Sequence, residues 1–381
     1  MKTLIQNITI SKEDGLELVD ILIENESISE IEPAGANTIS NEGINHRIDG
    51  QNQLLIPGMI DVHIHGANNF DMMDGTTKSI QEVSKKCLET GCTGFLVTSV
   101  TSSLEALLTM IDRTKEVVGR EIGAKILGIH LEGPYLNVKR KGMQDPNYLR
   151  NPDLKEMELI FERAGDLIKM VTIAPELPGS LELITYLKQK NVVVAIAHSD
   201  ATYEEAQEAF QQGATHITHC FNAMPPIHHR APGLVTAALE NDSVSVQAIV
   251  DGIHLHPGIV RLLHKIKGAD GMVLITDALQ AMGVGDGAYE FGGHQVTVEN
   301  GVARLKDGTL ASSTVTMNEA LKLSVEMGIP LDDAIKMGAT TPADILGEKK
   351  IGKIAVGYDA DLILLDEDFK VVKKVLKGLV K

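Results

Sequence analysis

The sequence predicts an α/β protein: a (β/α)8, TIM-type barrel over residues 58–345, with a small β-sandwich domain formed from residues 1–57 and 346–381 of both termini. Three observations predict it. Eight short apolar runs alternate with amphipathic stretches through the middle of the chain. Both ends instead alternate apolar and polar residues. Five of the eight runs finish in His, Glu or Asp.

The terminal segments come first. Residues 18–23 and 27–31 read as strands joined by Glu24, Asn25 and Glu26. Residues 360–365 and 371–376 repeat the pattern near the other end, after a turn at Gly357, Tyr358 and Asp359. In the middle, the apolar runs lie at 59–65, 94–99, 126–132, 168–174, 192–198, 215–219, 244–250 and 272–277. Near-continuous apolar strands imply burial on both faces, as in a parallel sheet. The stretches 77–90, 104–118, 181–190 and 203–212 carry helical periodicity and supply crossovers. Eight such units close into a barrel. Residues 289–310 read as an inserted β-hairpin, and 318–326 and 331–337 as closing helices.

Composition narrows the function. The chain has 381 residues, 43% of them hydrophobic, which supports a large core. No apolar run reaches the eighteen residues of a membrane span. The opening MKTLIQNITI lacks the features of a secretory signal, so a cytoplasmic location is expected. Three cysteines, Cys87, Cys92 and Cys220, are too few for a disulfide framework and read as buried small hydrophobes. A net charge of −17 argues against a nucleic-acid partner. It leaves room for a small anion, since Lys139–Lys141 and His228–Arg230 are local basic clusters.

The chemistry lies where the runs end. His63 and His65 close the first, Glu132 the third, His198 the fifth, His219 the sixth and Asp277 the eighth. Strand C-termini converge on the mouth of a barrel, where its active sites lie. Side chains alternate along a strand, so His63 and His65 point the same way and can share an ion. Imidazoles with a carboxylate suit zinc or iron(II) better than magnesium, which prefers oxygen. Asp277 is placed to act as general base and then general acid. His130 lies deeper on the face of Glu132 and reads as a supporting residue. His216 is expected to be structural, and His46, His264 and His294 to be surface histidines in loops or helices.

PGMIDVHIHG (57–66) and GKIAVGYDADLILLD (352–366) resemble the amidohydrolase superfamily. HLEGP (130–134), AHSDAT (197–202), THCFNAMPP (218–226), HHRAPG (228–233), DGIH (251–254) and LITDA (274–278) together resemble its N-acetylglucosamine-6-phosphate deacetylase family, in order and over essentially the whole chain. The resemblance implies that Glu132, His198 and His219 are the principal metal ligands. The intact His63 and His65 make room for a second ion, so one or two divalent ions per subunit are expected. It implies that Asp277 is the acid/base, that His254 polarises the acetyl carbonyl, and that Asn222 and Ala223 meet the sugar phosphate. Arg230 is expected to reach that phosphate from the neighbouring subunit of a homodimer. Gln144 stands where some members use histidine to contact substrate. No lysine ends the fourth run, where Ala174 stands, so Glu132 is the group left to bridge two ions.

Other readings stay open. The galactosamine epimer leaves no mark in sequence. A cyclic-amide hydrolase generally needs the missing lysine, and a base deaminase shares the superfamily motifs. A sugar-phosphate-binding regulator on a decayed barrel is the non-enzyme alternative, although no ligand position nor Asp277 has been lost.

Overall fold

A computed structural model of the protein describes every residue except Glu13, Asn37, Asn41 and Lys381, which lie in the terminal segments. Its centre is a parallel sheet of eight strands: β1 (Met59–Ile64), β2 (Cys92–Thr98), β3 (Lys125–Glu132), β4 (Ile168–Ile173), β5 (Val193–Ile196), β6 (His216–Ile217), β7 (Ser245–Ile249) and β8 (Met272–Ile275). Each pairs with the next in chain order, from β1 to β8. The ring closes just beyond the strand ends. There Asp277 N donates to His63 O at 2.8 Å, and His65 N and Gly66 N both donate to Ala278 O at 2.9 Å. Gly66 permits this seam, since a Cβ there would sit 2.5 Å from Phe70 O and 2.8 Å from Gln280 N.

Helices α1 (Thr77–Glu89), α2 (Leu104–Val117), α3 (Leu154–Ala164), α4 (Ser180–Gln189), α5 (Tyr203–Gln212), α6 (Gly233–Glu240) and α7 (Pro257–Gly271) connect successive strands. Their starts are set locally. Thr76 caps α1 by accepting from Ser79 N, and Thr202 with Glu205 forms a capping box on α5. The last follows His198 by only four residues, so the AHSDAT segment is a strand end, a tight turn and a helix cap in one.

The apolar wall of the barrel is buried, with Phe95, Ile129, Val171, Val194, Ile217 and Leu274 essentially without exposure. Near the mouth its interior turns polar. His63, His130, Thr172, Thr218 and Gln247 are buried and hydrogen-bond across the ring.

Strands from both chain ends build a second, eight-stranded sheet. Lys2–Lys12 pairs antiparallel with Gly15–Glu24 and parallel with His46–Asp49 and Leu54–Pro57. Leu362–Leu365, from near the other end, lies antiparallel on Leu54–Pro57 and continues into Val371–Leu376. Ile5, Ile8, Val19, Ile21, Leu55, Leu362 and Leu364 bury one shared core. Lys125, at the start of β3, ties the two sheets through a 2.6 Å contact with buried Asp361.

Two expectations need correction. The insertion after β8 is a three-stranded antiparallel sheet, Gly287–Phe291, His294–Glu299 and Val302–Leu305, because the Asn300–Gly301 turn adds a strand to the expected hairpin. It follows that His294 lies in a strand, as does exposed His46. The closing helices are α8 (Met317–Glu326) and α9 (Leu331–Gly338), with a short α10 (Thr340–Ile345) after them. Among the described residues, no helix is long and apolar enough to cross a membrane.

Candidate active site

β1 carries His63 within the strand and His65 one residue past its end. Glu132 is the last residue of β3. His198, His219 and Asp277 each lie two residues beyond β5, β6 and β8, in left-handed backbone with φ of 46°, 30° and 49°. Such backbone in non-glycine residues is strained, and strain gathers at functional sites. Here it turns three side chains inward over the ring.

The six side chains meet in two sets, His63–His65–Asp277 and Glu132–His198–His219, each with ligating atoms within 4.8 Å of one another. The two histidines of β1 face each other, Nε2 to Nε2, at 3.0 Å; His198 and His219 do so at 3.1 Å. Glu132 touches both sets. Its Oε1 is 3.0 Å from His219 Nε2 and 3.4 Å from His198 Nε2, and its Oε2 is 3.4 Å from His65 Nε2. Asp277 Oδ1 stands 3.2 Å from His65 Nε2 and 3.5 Å from His63 Nε2.

These groups fit a cation. His63 Nδ1 meets Gln247 Oε1 at 3.0 Å and His198 Nδ1 meets Arg140 O at 2.9 Å. Both partners accept only, so each ring carries its hydrogen on Nδ1 and turns a lone pair inward from Nε2. Lone pairs that face each other across 3 Å repel unless a proton or a metal ion lies between them. Burial works against ionisation of the two acids. For Glu132 the surrounding His63, His198 and His219 overcome it and hold the carboxyl well below its ordinary value. For Asp277, His63, His65 and His219 overcome it and hold the carboxyl down to about 2. Two buried carboxylates among four imidazoles, with nitrogen and oxygen donors only, suit one or two divalent ions.

Other residues hold this set in place. His130 bonds Val62 O at 3.0 Å and Thr172 Oγ1 at 2.7 Å, beneath His63. His216 turns away to Ser245 Oγ at 2.6 Å, in keeping with a structural role. Gln247, Asp61, Asp251 and Ser312 carry contacts that sequence reasoning missed. Gln247 also accepts from His219 N at 3.3 Å, so one amide oxygen serves residues of both sets. Its signal was a single amide in the apolar run of β7. Buried Asp61 accepts from Thr276 Oγ1 at 2.5 Å and from His63 N at 3.2 Å, joining β1 to the end of β8.

A pocket of about 300 Å³ opens above the cluster, and His254, Asn222, Ala223 and Gln144 line it. His254 Nδ1 lies 2.6 Å from Asp251 Oδ2, and Asp251 Oδ1 accepts two backbone N–H groups of the same loop. That fixes the ring and leaves Nε2 free. Asn222 folds its side-chain amide onto the carbonyls of His219 and Cys220, at 3.3 and 3.4 Å. Buried Gln144 uses both ends of its amide: Nε2 donates to Glu132 Oε2, and Oε1 accepts from Thr101 N, each at 2.8 Å. Arg230 is not brought into the pocket. It is exposed and rests on His229 Nε2 at 2.7 Å. In the other basic cluster, Lys139 and Arg140 are engaged by Asp200 at 3.4 and 2.8 Å.

The barrel mouth of this chain is lined by HxH on the first strand, a carboxylate on the third, histidines after the fifth and sixth and an aspartate after the eighth. The amidohydrolase family model matches residues 54–381. The chain belongs to the amidohydrolase family. It is 39% identical to the N-acetylglucosamine-6-phosphate deacetylase of Bacillus subtilis, over 85% of this chain and 84% of that one. It is 34% identical to the N-acetylgalactosamine-6-phosphate deacetylase of Escherichia coli O157:H7, over 86% and 87%. Among solved amidohydrolases, a mutant N-acetyl-D-glucosamine-6-phosphate deacetylase from Mycobacterium smegmatis, in complex with N-acetyl-D-glucosamine-6-phosphate, superposes with a TM-score of 0.90 at 32% identity, covering 100% of this chain and 98% of that one.

Proposed function

We propose that this amidohydrolase removes the N-acetyl group of N-acetyl-D-glucosamine 6-phosphate, giving D-glucosamine 6-phosphate and acetate. One observation carries the reading: two sets of metal-ligating side chains, bridged by Glu132, form the floor of a pocket whose wall holds His254, Asn222 and Ala223. On this reading Glu132, His198 and His219 hold the principal ion, His63 and His65 complete a second place, and the metal is zinc or iron(II). When bound, the ion supplies Lewis acidity, making water acidic enough to lose a proton at neutral pH and drawing charge from an acyl oxygen.

The chain's own groups do the rest. Asp277 takes the proton of the attacking water and returns it to the leaving amine. His254 acts as the imidazolium paired with Asp251: Nδ1–H stays on the Asp251 carboxylate, and Nε2–H donates to the acetyl oxygen as negative charge gathers there. Gln144 keeps Glu132 turned so that Oε1 faces His198 and His219. Ala223 N–H and the Asn222 side chain beside it meet the phosphate, the backbone N–H of Asn222 being engaged by His219 O at 3.0 Å, and Arg230 of the neighbouring subunit in a homodimer completes its site. Free, buried Cys87, Cys92 and Cys220 suit a reducing compartment, and we place the enzyme in the cytoplasm.

Acetate release from the metal-loaded protein tests the function. N-acetylglucosamine 6-phosphate is expected to be hydrolysed with the higher kcat/KM. A higher kcat/KM for the galactosamine epimer reassigns the substrate, as the E. coli relative invites; no release from either refutes deacetylation.

Two further outcomes test the assignments. Arg230→Ala is expected to raise KM for the phosphorylated sugar at least tenfold, since a charged contact contributes about 1.5–3 kcal/mol, and to leave turnover of unphosphorylated N-acetylglucosamine unchanged. Equal effects on both sugars remove the phosphate role. Gln247→Leu strands His63 Nδ1 without a partner. Metal affinity should fall about 10–100-fold, read by titration of the metal-free protein; unchanged affinity shows that the amide does not orient the ring.

A further inference from the structure

The segment that returns from the three-stranded insertion lies along the end of β8. Ser313 N donates to Asp277 O at 2.9 Å, and Leu279 N donates to Ser313 O at 3.0 Å. Ser313 Oγ fastens the same seam by donating to Thr276 O at 2.5 Å. Ser312 is thereby set beside the catalytic carboxylate. It is buried, it lines the substrate pocket, and its Oγ lies 3.3 Å from Asp277 Oδ1. Its backbone has φ of 62°, the left-handed region where glycine is the residue without strain. A serine at this position is conformationally unfavourable, and the one thing it adds over glycine is a hydroxyl aimed at Asp277.

We infer that Ser312 is a positioning residue for the reaction: its hydroxyl pins Asp277 so that one carboxylate oxygen faces the metal-side imidazoles and the other is left for the transferred proton. The contacts of Asp277 with His63, His65 and Ser312 all fall on Oδ1. The carboxylate torsion of aspartate is broad and nearly two-fold, so without a side-chain donor the group samples orientations that present neither oxygen correctly. Placement of a base within a fraction of an ångström of its proton is worth large factors in rate. The hydroxyl therefore acts on turnover and leaves substrate affinity alone.

This inference rests on Asp277 being the acid/base. Two variants separate the hydroxyl from the backbone. Ser312→Ala removes the donor and keeps the left-handed strain; Ser312→Gly removes both. Both are expected to lower kcat roughly tenfold, the lower end for a hydrogen bond to a charged group, with KM within about twofold by the same contact argument. Bound metal per subunit should be unchanged, and Ser312→Gly should melt above Ser312→Ala. Wild-type kcat in both variants overturns the inference. So does wild-type kcat in Ser312→Gly alone, which assigns the effect to the backbone, or loss of metal in both, which assigns it to the ligand set. Asp277→Asn is the control: if that variant keeps its turnover, the reading of Asp277 itself has failed. If it is inactive while both Ser312 variants are normal, only the role of Ser312 falls.

Discussion

Asp277→Asn is expected to lower kcat by about 10²–10⁴-fold, the range for loss of a general acid–base group, while the protein keeps at least one bound ion per subunit. The amide has the shape of the carboxylate and can still accept from Ser312 Oγ, now 3.3 Å away. The backbone bonds that place the residue, Asp277 N to His63 O and Ser313 N to Asp277 O, are untouched. What disappears is a group that can hold a proton between water and the leaving amine. Glu132, His198 and His219, the proposed holders of the principal ion, remain within reach of one another. Because the lost interaction belongs to the transition state, kcat and kcat/KM should fall together while KM for the sugar phosphate stays close to the wild-type value. Steady-state acetate release and metal analysis of one sample check both halves. A kcat near that of the wild type removes Asp277 from proton transfer. A normal KM with no bound ion shows that its main task is coordination.

The sequence made part of this site legible for physical reasons. Strand alternation placed His63 and His65 on one side, and their Nε2 atoms face each other at 3.0 Å. The rule that barrel strands deliver their ends to one mouth gathered Glu132, His198, His219 and Asp277 without any coordinate. Alternation could not orient the last three, because each lies past its strand in left-handed backbone. The motifs carried the family and its substrate class. Other features were hidden because they depend on pairing between distant segments. The partners of Gln247 lie on β1 and after β6, that of Asp61 at the end of β8, and that of Ser312 across the insertion. A sequence pattern records the period of one element and not the partner of a side chain many residues away. The same holds for the third strand of the insertion, which pairs back through a turn at Asn300 and Gly301 where a single hairpin was expected.

Glu132→Gln tests the metal reading at its centre. Glu132 is the carboxylate that contacts both ligand sets, with Oε1 toward His198 and His219 and Oε2 toward His65. Its negative charge is what makes a divalent ion favourable among four buried imidazoles. Breaking a buried charged contact by removing one partner costs about 3–5 kcal/mol, which lowers metal affinity by roughly 10²–10⁴-fold. The fold should survive the change. The new amide can turn its oxygen to accept from Gln144 Nε2, as Glu132 Oε2 does at 2.8 Å, and its NH2 toward the lone pairs of His198 and His219. A side chain that donates to those nitrogens satisfies the metal-free cluster, so the variant should be well folded and indifferent to chelator. On the metal reading the wild-type protein binds its ion in the native state only, so its Tm should fall when a chelator is added. Thermal denaturation of both proteins with and without chelator, alongside metal analysis, reads these outcomes. A variant that still carries a full complement of metal and still loses Tm to chelator shows that Glu132 does not hold the ion, and the cation site must then be assigned without it, to His63, His65 and Asp277.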